Sequence, residues 1–438
     1  MRHTDRVTVY AGTARGQVLI PPSKSIAHRA LICAALCPPG SVSRLSYMPC
    51  NEDIDATIDG LRALGVNIDE QCGEDNTRVL TVEGCGGEWS PSEIPLGCRE
   101  SGSTMRFLLP LCLLSEGGRM LTGSERLLDR LYPLPTALTQ TRSMNRAPSY
   151  LEIGEGARLK SGTFYFSQTV TSQWTTGLLM ALPLLPGDSV IEFACPPESR
   201  SYIDMTLAVL ARFGVTAAWL DDRRLQVKGG QTFCPMDMAV DSDASGAAFF
   251  HALRVMQPEG EVLDVVCRVS PDVIQGDAVC PRLLDQIKQR TSDELPQISL
   301  ADCPDLGPML FAAATALGGA IFTHTDRLRF KESDRVAAMI EELSKFGARC
   351  ETSEDNGGTI IIHPLPDGLR VPNDIVHGHN DHRIVMSLAV LSTCLGAPSS
   401  VTIDDAHAVA KSFPDFFDRL HSLGIDCRKK LSAGKESV

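Results

Sequence analysis

Ser23-Lys24-Ser25-Ile26-Ala27-His28-Arg29-Ala30-Leu31-Ile32-Cys33-Ala34-Ala35-Leu36 opens on a hydroxyl, an ammonium and a second hydroxyl, then turns apolar on almost every side. A helix that is apolar all round must be buried. Its first turn carries free N–H groups and the positive end of the helix dipole, a natural place to hold an anion. The same transition recurs five more times. Ser101-Gly102-Ser103-Thr104 leads into MRFLLPLCLL, Thr171-Ser172-Gln173 into WTTGLLMALPLL, and Asp243-Ala244-Ser245 into GAAFFHALRVM. Pro304-Asp305 leads into LGPMLFAAATAL, and Asn380-Asp381-His382-Arg383 into IVMSLAVLSTCL. The six starts lie roughly 60 to 80 residues apart, a repeat somewhat longer than the common solenoid units.

Between these segments a second pattern recurs: an amphipathic helix, a small-residue stop, a strand, a polar turn and another strand. In 53–70 the residues Ile58, Leu61 and Leu64 share a face and Gly65 ends the helix. Residues 202–230 and 333–363 repeat the scheme, the latter closing on a DNGG turn and the strand Thr359-Ile360-Ile361-Ile362-His363. One buried helix, one surface helix and hairpin strands per unit predict an α/β fold of six βαβαββ units. Six units exceed one comfortable core, so two similar domains of three units each are expected.

Composition narrows the function. Among 438 residues, 54 acidic side chains against 41 basic ones give a formal charge of −13, which argues against a nucleic-acid or anionic-membrane surface. The N-terminal MRHTDRVTVYAGTARG has no apolar core of a signal peptide, and the apolar runs near 107–114 and 177–186 are too short to span a bilayer. A cytoplasmic location is expected. Fifteen cysteines without a CxxC pair, several within apolar helical patterns (Cys33, Cys112, Cys394), read as free buried thiols rather than a zinc or disulfide framework.

The charged residues fall at the helix starts. Lys24, Ser25 and Arg29 place an ammonium, a hydroxyl and a guanidinium around one first turn, a cradle for phosphate or carboxylate. Gly102 leaves the backbone bare for close approach of a ligand. Asp326-Arg327-Leu328-Arg329-Phe330-Lys331-Glu332-Ser333-Asp334-Arg335 packs four cations and three carboxylates into ten residues. That is either a solvated helix start or a site where Arg335 binds an anion and Glu332 exchanges a proton. Arg383 and Lys411 add cations near two more starts, while His28 shows no evident partner and reads as structural. A capped surface helix explains each of these singly. Charge leading an apolar segment so many times does not read as decoration.

In order along the chain, these segments resemble the 5-enolpyruvylshikimate-3-phosphate synthases, or 3-phosphoshikimate 1-carboxyvinyltransferases. The matching motifs begin with P-x-S-K-S-x-x-x-R-A at 21–30, S-G-S-T-x-R at 101–106, T-S-Q at 171–173 and S-x-S-Y-I-D at 199–204. They continue with D-A-S at 243–245, C-P-D at 303–305, R-F-K-E-S-D-R at 329–335, N-D-H-R at 380–383 and K-S-F-P-x-F at 411–416. Any one is modest; nine in register are highly specific.

The resemblance implies domains at 1–21 with 241–438 and at 22–240, with an active site in the cleft between them. It implies transfer of the enolpyruvyl group of phosphoenolpyruvate to the 5-hydroxyl of shikimate 3-phosphate, with release of phosphate and competition by glyphosate. Lys24, Ser25, Arg29, Thr171, Ser172, Gln173, Ser199, Tyr202, Asp305 and Lys331 are the implied shikimate 3-phosphate contacts. Lys24, Gly102, Arg126, Gln173, Arg335, Arg383 and Lys411 are those of phosphoenolpyruvate. Asp305 and Glu332, with Lys24, are the implied acid/base groups, and no metal or cofactor is implied. A monomer is expected.

Three positions depart from the family pattern: Leu131 follows Arg130 where Pro is usual, Arg327 stands at an Asn position, and Glu100 precedes Ser101 where Asn is common. The competing readings are the sister transferase acting on UDP-N-acetylglucosamine and a non-catalytic anion-binding protein of the same fold. Against the first, Lys24 is followed by Ser25 rather than Asn, and Cys112 lies in an apolar run.

Overall fold

The computed structural model describes residues 6–89, 94–115, 117–131, 134, 138, 144–166, 171–258, 260–270, 272, 275–289 and 294–430. The chain divides into two compact units. One comprises Met1–Ile20, Asp243–Arg268 and Gly276–Val438; the other comprises Pro21–Ser242 and Val269–Gln275. Each has its own apolar core.

One connection pattern builds nearly all the sheets. In the second unit Leu96–Gly97 runs parallel to Arg119–Thr122, with the helix Gly102–Cys112 as the crossover that a parallel pair requires. The hairpin Met144–Ala147/Tyr150–Ile153 then completes the sheet in antiparallel fashion, its second strand lying innermost. Thr163–Phe166, Ser189–Phe193, Arg224–Val227 and Ala217–Trp219 repeat this order around the helix Ser172–Ala181. In the third sheet the opening strand is Met238–Ala239, from the far end of the unit, lying parallel to Val42–Pro49.

The first unit follows suit with Gln297–Ser299, Ala320–Thr323, Thr359–Ile362 and Cys350–Ser353 around the helix Gly307–Leu317. Arg6–Tyr10 inserts between Ser400–Ile403 and Cys427–Lys430, so the chain's beginning completes its last repeat. Leu263–Val266 runs parallel to Gly16–Leu19, and the helix Cys280–Lys288 lies between it and the strand Gln297–Ser299 along the chain.

The polar residues that introduce the inner helices have a local task. Ser23, Ser101, Thr171, Asp243 and Asp381 each accept a hydrogen bond from a backbone N–H of the first turn, replacing a bond the helix cannot make internally. The sixth helix, Gly307–Leu317, is instead entered through the 3-10 turn Pro304–Leu306 and has Pro308 in its first turn. Beyond the caps, burial is nearly complete, with every residue from Ile26 to Ala35 buried. Gly177 sets one helix contact: a Cβ there would lie 2.4 Å from the carbonyl oxygen of Arg106, so only glycine permits this approach. Among the described residues no helix is long and apolar enough to cross a membrane.

Candidate functional site

In the second unit Lys24 is the first residue of its helix, and its Nζ donates to Asp53 Oδ2 at 2.8 Å. Asp53 is fixed by the start of the helix Glu52–Ala63, where the Thr104 hydroxyl donates to the Asp53 carbonyl at 3.2 Å. Thr104 Oγ1 also lies 2.8 Å from Ser101 Oγ, and Thr57 shares hydrogen bonds with both Thr104 (2.7 Å) and His28 Nδ1 (2.8 Å). The helix start carrying Lys24 is thus tied to the one carrying Gly102. His28, fully buried and pushed well below the usual imidazole range by burial and by Lys24 and Arg29, belongs to this scaffold.

Arg29 sits deeper. Its guanidinium donates to Thr206 Oγ1, Thr176 Oγ1 and the carbonyls of Ser25 and Tyr202, joining three helices. Around Gly102, Arg106 Nη1 donates to Gln173 Oε1 at 2.6 Å and Nη2 to the Arg130 carbonyl at 2.6 Å, while Gln173 Nε2 donates to Ser103 Oγ at 2.9 Å. Both of these Arg106 acceptors are neutral. Burial, then the neighbouring Arg130, disfavours the Arg106 charge. A guanidinium stays protonated in proteins, so this excess positive charge favours an incoming anion. Ser199, buried at the start of the helix Arg200–Arg212, adopts a left-handed φ of 55°, a conformation non-glycine residues hold only when their surroundings enforce it.

In the first unit three cations converge on Asp305, which lies in the turn before Gly307–Leu317. Arg335 Nη1 donates to Oδ1 at 3.0 Å, Lys331 Nζ lies 3.3 Å from the same oxygen, and Arg383 Nη2 donates to Oδ2 at 3.2 Å. Arg335 is bound again from behind: Asp381 accepts from its Nε at 2.8 Å and its Nη2 at 3.2 Å, and also from Ser333 Oγ at 3.0 Å. Glu332 Oε2 lies 2.8 Å from His382 Nδ1 and 3.8 Å from Arg335 Nη2. Lys411 Nζ donates to the Asn380 carbonyl at 2.6 Å, on the turn that begins the helix His382–Thr393.

The charges tune one another. Burial pushes the Lys331 ammonium down to about 8, with Asp305 opposing and Arg335 and Arg327 reinforcing. Burial also works against Arg335, but Asp381 and Asp305 outweigh it and raise its pKa. Asp381 is lowered because Arg335 overcomes the burial penalty. Glu332, Asp381 and His382 bring ligand-type atoms within 4.8 Å of one another. The Arg335 guanidinium already lies against both carboxylates, which makes this an ion-pair network rather than a ready cation site.

The structure therefore gathers Lys24, Arg29, Gly102, Gln173 and their neighbours in one unit, and Asp305, Lys331, Glu332, Arg335, Arg383 and Lys411 in the other. Ser25, Thr171, Ser172 and Tyr202 fall at helix starts in the second unit, as does Ser199. Arg126 is exposed on the short helix Glu125–Asp129; the arginine of that segment found beside Gly102 is Arg130. Parts of the segment following Arg130 lie outside the described residues. Sequence reasoning did not single out Asp53, Arg106, Asp381 or His382. Arg106, Asp381 and His382 stood inside quoted motifs, whereas Asp53 carries no local signal.

Comparison with known proteins places the chain in a family. The sequence profile of the family described as EPSP synthase (3-phosphoshikimate 1-carboxyvinyltransferase) matches residues 11–420. The 3-phosphoshikimate 1-carboxyvinyltransferase of Clostridium kluyveri is 35% identical over 434 residues, covering 95% of this chain and 97% of that one. That of Clostridium botulinum is 33% identical over 438 residues, covering 95% and 96%. In fold, the chain is similar to an EPSP synthase from Acinetobacter baumannii (TM-score 0.74, 22% identity, 97% and 100% of the two chains). It is also similar in fold to the enolpyruvyl transferase NikO from Streptomyces tendae (TM-score 0.71, 16% identity, 99% and 100%). A profile match over nearly the whole sequence, and full-length relatives with a third of positions identical, establish that the chain belongs to the EPSP synthase (3-phosphoshikimate 1-carboxyvinyltransferase) family.

Proposed function

We propose that the two cation-rich clusters serve one reaction, transfer of the enolpyruvyl group of phosphoenolpyruvate to the 5-hydroxyl of shikimate 3-phosphate with release of phosphate. The observation that carries this reading, beyond family membership, is the chemistry around Asp305. Two carboxylates, Asp305 and Glu332, stand within a shell of Lys331, Arg335 and Arg383, with Lys411 on the adjoining turn. Polyanionic substrates need the cations, and the reaction needs two proton-transfer groups.

Asp305 takes the proton of the 5-hydroxyl as that oxygen bonds to C2 of phosphoenolpyruvate. Glu332, braced by His382, delivers a proton to the methylene carbon, with Lys24 assisting. The tetrahedral adduct then loses a methyl proton and expels phosphate, which restores the enol double bond. Arg335, Arg383, Lys411, Gly102, Arg126, Lys24 and Gln173 surround phosphoenolpyruvate, and Arg130 joins them. Lys24, Ser25, Arg29, Thr171, Ser172, Gln173, Ser199, Tyr202, Asp305 and Lys331 hold shikimate 3-phosphate. The acidic net charge fits a protein that works as a cytoplasmic monomer, apart from nucleic acid and membranes.

The sister activity on UDP-N-acetylglucosamine would draw on a reactive loop cysteine. Cys112 is buried within a helix and its thiol is pushed up to about 12 by burial, the opposite of what a nucleophile needs. An assay of phosphate release from phosphoenolpyruvate with each acceptor tests the proposal. Release with shikimate 3-phosphate alone is the expected result; release only with the sugar nucleotide, or with neither, overturns it.

A further inference from the structure

Ser199 holds a left-handed φ of 55° and a ψ of 36°, and its side chain makes no cap hydrogen bond to the helix Arg200–Arg212 that follows. A serine keeps that conformation only where its surroundings enforce it. One grip passes through Tyr202. Its carbonyl accepts from Arg29 Nη2 at 3.0 Å, and its N–H donates to the Ser199 carbonyl at 3.0 Å. A second grip acts on Arg200, the residue after Ser199. The Arg200 guanidinium lies over the Trp219 ring, 4.3 Å from its centroid, and Nε is 3.7 Å from Asp204 Oδ2, one helical turn on. The Trp219 indole N–H donates to the other Asp204 oxygen, Oδ1, at 2.8 Å. Arginine, aspartate and tryptophan close a triangle.

The three sides are unequal. Arg200 and Asp204 are 40% and 50% exposed, and an ion pair so placed contributes little by itself. Trp219 gives the triangle its anchor. It ends the strand Ala217–Trp219, where it pairs with Leu225. Its ring lies 6.0 Å from that of Phe193, which stacks on Phe166 at 5.5 Å, and both phenylalanines belong to the apolar core of this unit. A run of rings therefore leads from the core to the guanidinium beside Ser199. A flat guanidinium suits an aromatic face better than a lysine ammonium does.

We propose that Trp219 is a positioning residue for shikimate 3-phosphate, acting through Arg200 to hold Ser199 in its left-handed conformation so that Ser199 and Tyr202 meet that substrate. The inference rests on those two residues contacting shikimate 3-phosphate. Arg200 itself is a brace, its guanidinium engaged by Trp219 and Asp204 rather than by the phosphate.

The test is the dissociation constant of shikimate 3-phosphate by calorimetry, with kcat and KM for phosphoenolpyruvate, on the full chain and its variants. Trp219→Leu should weaken shikimate 3-phosphate binding by about 3- to 10-fold, the scale of a lost cation–π contact. At saturating shikimate 3-phosphate, kcat and KM for phosphoenolpyruvate should stay within about 2-fold of the parent. Arg200→Ala should match Trp219→Leu, and the double variant should bind no worse than either, because both changes remove one contact. Trp219→Tyr keeps a ring face and should recover most of the affinity. A merely structural role lowers the amount of folded enzyme and leaves the dissociation constant of the rest unchanged, which overturns the inference. Losses that add in the double variant overturn it too, as does a loss in Arg200→Ala alone, which would put Arg200 on the phosphate. Unchanged binding in both Ser199→Ala and Tyr202→Phe would instead remove the substrate contacts on which the inference stands. Should Trp219→Leu fail to fold, Arg200→Lys decides. Lysine keeps the charge without the flat stacking group, so binding should weaken nearly as much as in Arg200→Ala; retained affinity there would mean that only the charge matters.

Discussion

Arg335 and Asp381 form a two-point ion pair, Nε to Oδ2 at 2.8 Å and Nη2 to Oδ1 at 3.2 Å, in which both side chains are almost wholly excluded from water. The pair sets the direction of the remaining guanidinium nitrogen, Nη1, which reaches Asp305. Removing one member of a buried pair leaves the other charge uncompensated and typically costs about 3–5 kcal/mol. Asp381→Asn should therefore lower unfolding stability by about that amount. Asparagine can still cap the helix, so Asp381→Ala should lose about 1 kcal/mol more. Denaturant unfolding checks both; a loss below about 1 kcal/mol in Asp381→Asn would mean that Arg335 finds another partner.

Proton transfer is tested at Asp305 and Glu332. Asp305→Asn and Glu332→Gln should each reduce kcat by roughly 10²-fold or more, with KM changed much less. His382→Asn should lower kcat in the same direction, because the Glu332–His382 contact at 2.8 Å orients the carboxylate. Its effect should largely disappear in the Glu332→Gln background. Steady-state kinetics on the single and double variants gives the answer, and independent, additive losses would place His382 outside this pathway.

At Gly102 an added Cβ would fall 2.7 Å from Arg106 Nη1 and 3.4 Å from Gln173 Oε1. The methyl of Gly102→Ala therefore displaces the Arg106–Gln173 pair as well as occupying space near the anion. KM for phosphoenolpyruvate should rise several-fold, and inhibition by glyphosate should weaken more than that. Competition experiments measure both. Unchanged KM and unchanged inhibition would mean that the turn yields without moving Arg106.

The sequence was most legible where one interaction decides the structure. Apolar residues on almost every face of 26–36 point to a buried helix, and Ser23, Ser101 and Asp381 stand where caps are present. The isoleucine run at 360–362 marks a strand, and that strand lies between two others in its sheet. Less legible were groups whose role depends on distant partners. Asp53 looks like a residue of a surface helix's first turn until Lys24, 29 positions earlier, is found against it. Asp277 follows a glycine in a turn, and only the fold brings the Ser245 hydroxyl, 32 positions earlier, to its carboxylate.

The loop leading to Asp381 carries its own pH dependence. His379 and Asn380 both hold left-handed φ values, 52° and 51°, and side chains from other elements enforce the conformation. Glu342, fully buried, accepts from His379 Nε2 at 3.1 Å, from Lys345 Nζ at 2.7 Å and from the His377 backbone N–H at 2.9 Å. The hydrogen bond to Glu342 raises the His379 pKa above 6.5. Burial works against the Glu342 charge, but His379, Lys345 and the His377 amide outweigh it and hold its pKa below 4.5. A raised histidine contributes stability that is complete below its unfolded pKa and is lost as pH rises through the folded value. A lowered carboxylate contributes above its unfolded pKa and loses its contribution as pH falls through the folded value. Both are present together between the two unfolded values, 4.5 and 6.5. His379→Gln should thus destabilise by about 1–2 kcal/mol at pH 5.5, the scale of a hydrogen bond to a charged group, and by much less at pH 8.5. Urea unfolding of the two proteins at both pH values measures the difference, and an equal loss at each would show that His379 acts through its shape rather than its charge.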